Sequence, residues 1–101
     1  MKINIKQGFV IKEINDHILG MLMGIDKVFL ILGHVPTITS VNDGQHMQGS
    51  LHYSNAALDL RTRDIDPSLV TRVCTDLKKI LGPDYDVVLE SDHCHIEYDP
   101  D

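Results

Sequence analysis

Apolar residues recur along this chain at two different intervals, and the changes of interval fall at Gly, Pro and Asn. From about Ile11 to Leu32 the spacing is three or four residues (Ile11, Ile14, Ile18, Leu22, Ile25, Phe29), which predicts one long helix or two short ones, with Gly20, Gly24 and Gly33 as breaks or end caps. The same spacing returns over Asp66 to Leu81. There Asp66 can cap the N-terminus, Pro67 suits the first turn, and Leu69, Val70, Val73, Cys74, Leu77, Ile80 and Leu81 form one apolar stripe that Gly82-Pro83 ends. Elsewhere the interval is two or the residues are β-branched. Pro36 to Val41 predicts a strand with a turn at Asn42-Asp43-Gly44; Ala56 to Arg61, Tyr85 to Glu90 and Asp92 to Tyr98 predict three more. The polar, Gly- and Ser-containing stretch Gln45 to Asn55 reads as a loop, and the first ten residues as a short strand or ordered arm.

Strand parity assigns faces to particular side chains. In the second strand Leu58 and Leu60 share one face, and Ala57, Asp59 and Arg61 share the other. In the last strand His93, His95 and Glu97 share a face opposite Cys94 and Ile96. With no repeat, linker or low-complexity tract, residues 1 to 101 form a single domain. The expected class is α+β, a small two-layer domain with helices packed on one side of a mostly antiparallel sheet.

Composition narrows the partners. The 101 residues are 43% hydrophobic and 24% charged, and nine Lys and Arg against fifteen Asp and Glu give a formal charge of −6. That balance disfavours nucleic acid, which needs a basic footprint, and an anionic membrane surface. The most apolar stretch, Val28 to Leu32, is far short of the roughly 20 residues a spanning helix needs, and the N-terminus lacks the apolar core of a secretion signal. A cytoplasmic monomer is the expectation. Two cysteines, Cys74 and Cys94, make no disulfide framework and fit a reducing compartment; Cys74 is expected in the core and Cys94 in the sheet. Histidine stands out, with six in the chain, four of them (His46, His52, His93, His95) in segments that also carry Asp or Glu.

Those segments carry metal-ligand chemistry. A catalytic zinc ion commonly takes three protein ligands, imidazole or carboxylate, and a water. Ser50-Leu51-His52-Tyr53-Ser54-Asn55-Ala56-Ala57-Leu58-Asp59 puts a loop His seven residues before a strand Asp, and Glu90-Ser91-Asp92-His93-Cys94-His95-Ile96-Glu97 puts two His on one strand face. The pattern Ser-x-His-x(6)-Asp followed by His-x-His resembles the LAS-type zinc peptidases, the D-Ala-D-Ala carboxypeptidases and L-Ala-D-Glu endopeptidases whose fold the Hedgehog signalling domain shares. Upstream, Asp43 to Tyr53, with His46, resembles the Hedgehog segment that leads into its zinc histidine. About 60 residues, Pro36 to Tyr98, follow the same element order.

The resemblance implies that His52, Asp59 and His95 bind Zn²⁺, and that Asp92, three positions before the last zinc histidine, is the general base, with Glu90 the second choice. It implies that His93 and His46 flank the metal and polarise a carbonyl or stabilise an oxyanion. The chemistry is coherent: the metal acidifies its water, a carboxylate takes the proton, and an imidazole stabilises the tetrahedral intermediate. Asn55 stands where relatives usually carry Gly, and no Arg precedes Arg61, which weighs against a carboxypeptidase more than against an endopeptidase. Arg61 and Arg63 read as a solvated strand end that could line the cleft, the tail from Glu97 as a solvated terminus, and His17 and His34 as background.

The expected function is a zinc metallopeptidase hydrolysing peptidoglycan stem peptides. It would be a phage-type endolysin released to the cell wall at lysis or a cytoplasmic peptidase acting on released muropeptides. The alternative is a non-catalytic zinc-binding Hedgehog-like module serving binding or assembly.

Overall fold

The first helix begins later than the apolar spacing suggests. In the computed structural model, which describes residues 2–8, 11, 14–42 and 56–100, α1 spans Asp16–Leu32. Asn15, in extended conformation, caps it by accepting the Ile18 N–H at 2.9 Å. Ile11 and Ile14 therefore lie before the helix, and Ile14 is half exposed. Gly20 and Gly24 do not break the helix. Gly24 instead lies against the second helix, where a methyl group would come within 2.9 Å of Leu81 Cδ2. Gly33 ends α1 in the left-handed region at φ 76°, a conformation that favours glycine.

α2 spans Pro67–Leu81, with the Asp66 carboxylate accepting the Ser68 N–H at 3.0 Å. Val73, Cys74 and Leu77 form its buried line. Ile80, expected in the same stripe, lies at the stripe's edge beside Gly24 and is 45% exposed.

The strands are β1 (Asn4–Ile5), β2 (Thr37–Asn42), β3 (Ala57–Arg61), β4 (Tyr85–Leu89) and β5 (His93–Tyr98), in the sheet order β1-β2-β3-β5-β4. β1 runs parallel to β2 and the other three pairings are antiparallel, so the architecture is α+β with a mixed sheet. The N-terminal segment is thus a short strand that extends the sheet. The expected turn at Asp43-Gly44, the loop to Asn55, and with them His46 and His52, lie outside the described residues.

Both helices cover one face of the sheet. Leu58, Leu60, Val87, Cys94 and Ile96 join Ile18, Met21, Ile25, Phe29, Val73 and Leu77 in a single apolar cluster. Contacts from each helix confirm the layering. His17 of α1 stacks on Tyr98 with ring centroids 3.6 Å apart, and Cys74 Sγ of α2 meets Cys94 Sγ at 3.5 Å. Both thiols are free and buried, as expected of packing cysteines. Among the described residues no helix is long and apolar enough to cross a membrane.

Large-to-small changes in this layer leave a cavity as well as losing transfer free energy. Leu60→Ala, at a fully buried position, is expected to cost about 2–5 kcal/mol by urea unfolding. Leu30→Ala, at a position 78% exposed on α1, is expected to stay within about 0.5 kcal/mol of the parent. Equal losses would contradict the layer assignment.

Candidate functional site

Because the helices cover one face, the alternating residues of β3 and β5 are displayed on the other. Asp59 stands directly across from His95 in the β3–β5 pairing, and Arg61 directly across from His93. Ser40 of β2 stands opposite Asp59 on its other side. Directly opposed side chains on one face lie within contact reach, so register alone brings these groups together.

The centre of the cluster is the Asp59 carboxylate. Its Oδ1 lies 2.8 Å from His95 Nδ1 and 3.9 Å from His93 Nε2, and its Oδ2 accepts a hydrogen bond from the Ser40 hydroxyl at 2.9 Å. The second ring nitrogen of His95 faces Glu97 Oε1 at 3.1 Å. Glu97 is therefore part of β5 and engaged with His95, which corrects its reading as the start of a solvated tail. His93 is held by the β4–β5 hairpin, which closes through the Glu90 N–H donating to the His93 carbonyl at 2.8 Å. Its Nδ1 meets Asp92 Oδ1 at 2.8 Å, and its Nε2 meets Glu90 Oε1 at 3.2 Å.

These contacts shape the titrations. Burial alone would lower the His95 value, but the hydrogen bonds to Asp59 and Glu97 outweigh it and the net shift is upward. The hydrogen bond to Asp92 raises His93, with Asp59 and Glu90 adding to it, while Asp92 is held below the usual carboxylate range by His93 and, less strongly, by Arg63.

Of the sequence-derived metal ligands, Asp59 and His95 converge, and His52 lies outside the described residues. Among the described residues no group of three His, Cys, Asp or Glu is arranged to hold a metal ion. The donor chemistry of the two described members nonetheless fits one. A carboxylate oxygen and an imidazole nitrogen bound to one tetrahedral zinc would stand roughly 3.4 Å apart, so the 2.8 Å hydrogen bond between Asp59 and His95 would open by a fraction of an ångström to admit the ion. Glu97 on the other nitrogen of His95 is the carboxylate that commonly orients a metal-bound imidazole. Of the helper residues, His93, Asp92 and Glu90 assemble beside Asp59, and His46 lies outside the described residues. His17 and His34 stand apart, His17 on Tyr98 and His34 with Nε2 3.6 Å from Asp64. Sequence reasoning missed Ser40, a strand serine with no motif around it whose only signal is its register with Asp59.

Raised histidine values have a defined sign in stability. The contribution of His93 and His95 is fully present below the ordinary histidine value of about 6.5 and is lost as pH rises through their raised folded-state values. In metal-free protein the urea midpoint is therefore expected to fall as pH rises above about 6.5, and Glu97→Gln is expected to flatten that dependence. A midpoint that does not respond to Glu97→Gln would contradict the pairing. The chain matches no protein-family model, no curated protein and no solved structure.

Proposed function

We propose that this protein is a zinc-dependent peptidase that hydrolyses peptidoglycan stem peptides, of the D-Ala-D-Ala carboxypeptidase or L-Ala-D-Glu endopeptidase type. The observation that carries the proposal is the Asp59–His95 contact at 2.8 Å on the open sheet face, with His93 3.9 Å from the same carboxylate oxygen. Two metal-ligand types and a histidine that can donate to developing negative charge meet there, as the resemblance to the zinc peptidases implies. His52 would complete the ligand set, and the bound ion would supply an acidified water.

The protein's own residues divide the remaining work. His93 turns its Nε2 edge towards Asp59 and Glu90, where an N–H on that nitrogen can donate to an oxyanion. For the base, the resemblance to the zinc peptidases prefers Asp92. Geometry favours Glu90, because Glu90 meets His93 on the Nε2 edge that faces Asp59, whereas Asp92 binds the Nδ1 edge. Asp92 is also held low in pKa, which weakens it as a base near neutral pH and suits it to orienting the His93 ring.

The experiment measures zinc content together with release of peptides from purified peptidoglycan. His95→Ala and Asp59→Ala are expected to lower zinc content. Glu90→Gln is expected to keep the zinc and lower kcat by about 10²–10⁴, the usual contribution of a general base. Asp92→Asn is expected to have a smaller effect and to shift the pH profile. Zinc-loaded protein that releases nothing would overturn the peptidase reading and leave a zinc-binding module. Unchanged zinc content in His95→Ala would overturn the site.

A further inference from the structure

Two nucleophilic groups take no part in the chemistry of the open face. Cys74 of α2 and Cys94 of β5 are the only cysteines in the sequence, and the fold brings them into contact with their Sγ atoms 3.5 Å apart. A single buried thiol packs like any small apolar side chain and needs no second thiol beside it. Two in contact have a chemistry that neither has alone. Both are free; Cys94 is fully buried and Cys74 keeps 7% of its surface exposed, so a small oxidant meets Cys74 first. Hydrogen bonding with Cys94 and the charge of Lys78, one helical turn further on, also bring the Cys74 thiol down to about 7 against the effect of burial. The thiolate so favoured is the reactive form of cysteine.

We propose that Cys74 and Cys94 form a modification site at which hydrogen peroxide joins α2 to β5 through a disulfide, displacing the strand that carries His93 and His95. The Cys74 thiolate attacks one peroxide oxygen. The O–O bond breaks, the other oxygen leaves as hydroxide and takes up the proton that Cys74 released, and Cys74 becomes a sulfenic acid. The Cys94 sulfur then attacks Cys74 Sγ; the S–S bond forms as the S–O bond breaks, and the hydroxyl leaves with the Cys94 proton as water. Two thiols have then lost two protons and two electrons, and one peroxide has become two waters. A disulfide holds its sulfurs about 2.05 Å apart, so the contact must close by about 1.5 Å. In a close-packed layer that movement is shared with the backbone of α2 and β5. β5 is paired on both sides, with β3 and β4, so the rings flanking Cys94 travel with it. The inference stands apart from the peptidase reading, because it concerns where the two rings sit whether or not an ion is bound.

The metal-free full chain is treated with hydrogen peroxide without denaturant, blocked with N-ethylmaleimide in urea and weighed intact. The expected product is a monomer lighter by about 2 Da, the two hydrogens lost, that takes up no maleimide and regains both thiols with dithiothreitol. Proteolysis is expected to release one fragment joining the Cys74 and Cys94 peptides. Two free thiols after treatment, a disulfide that forms only with denaturant present during oxidation, or a bond between two chains would overturn the site. That readout uses the parent protein, so it decides the site independently of any variant's folding. Cys94→Ser is expected to leave a sulfenic acid on Cys74 that dimedone traps; trapping at Cys94 in Cys74→Ser, and not at Cys74 in Cys94→Ser, would overturn the order of attack. NMR of the metal-free protein reads the displacement. The ring resonances of His93 and His95 are expected to shift on oxidation and return on reduction, with those of His34, outside β5, unmoved. A protein that forms the bond with His93 and His95 unshifted would overturn the link between the thiols and the open face.

Discussion

The antiparallel register between β3 and β5 decides at once what this protein buries and what it offers to solvent. Pairing Leu58 with Ile96 and Leu60 with Cys94 sends four apolar side chains towards the helices. The intervening pairs, Asp59 with His95 and Arg61 with His93, can then only point the other way. A slip of one residue would turn over the faces of the strand that moves, driving either Asp59 and Arg61 or His93 and His95 into the core and exposing the apolar residues between them, at a desolvation cost. The hydrophobic effect thus holds the charged cluster in register, although it acts on the opposite face of the same strands.

That arrangement explains why so many ionisable groups tolerate close approach. On the open face Asp59, Glu90, Asp92 and Glu97 surround two imidazoles, and water screens part of the repulsion. Each ring has a carboxylate on both nitrogens, and because carboxylates only accept, both contacts are hydrogen bonds only when both nitrogens carry a proton, so this arrangement holds the rings best in their charged form. The Ser40 hydroxyl secures the outer oxygen of Asp59 and leaves the inner one to the histidines. β2, which contributes no titratable side chain to the cluster, therefore still sets where its central carboxylate points.

How much of this was legible in the sequence follows from the same physics. The alternation in residues 57–61 and 93–98 is local, and it put Asp59, His93, His95 and Glu97 on definite faces before any pairing was known. α2 was equally plain, because cap, stripe and terminator agree. The start of α1 was not. Apolar residues continue the helical spacing past Asn15, and only the extended backbone at that residue shows that the helix begins there. Ser40 was hidden for another reason. Its contact with Asp59 depends on β2 lying beside β3, a sheet order that no residue pattern specifies.

The tie between core and site runs through single residues. Cys94 lies between His93 and His95 in sequence and points the opposite way, against Cys74 of α2. Any change that moves β5 to relieve packing at Cys94 must carry both histidines with it, because a strand cannot shift one face alone. The small, close-packed thiol pair thus helps set the height of the imidazoles above the sheet, and with it their distance from Asp59. At 2.8 Å that distance has little slack: a displacement of 1 Å would break the hydrogen bond between His95 and Asp59.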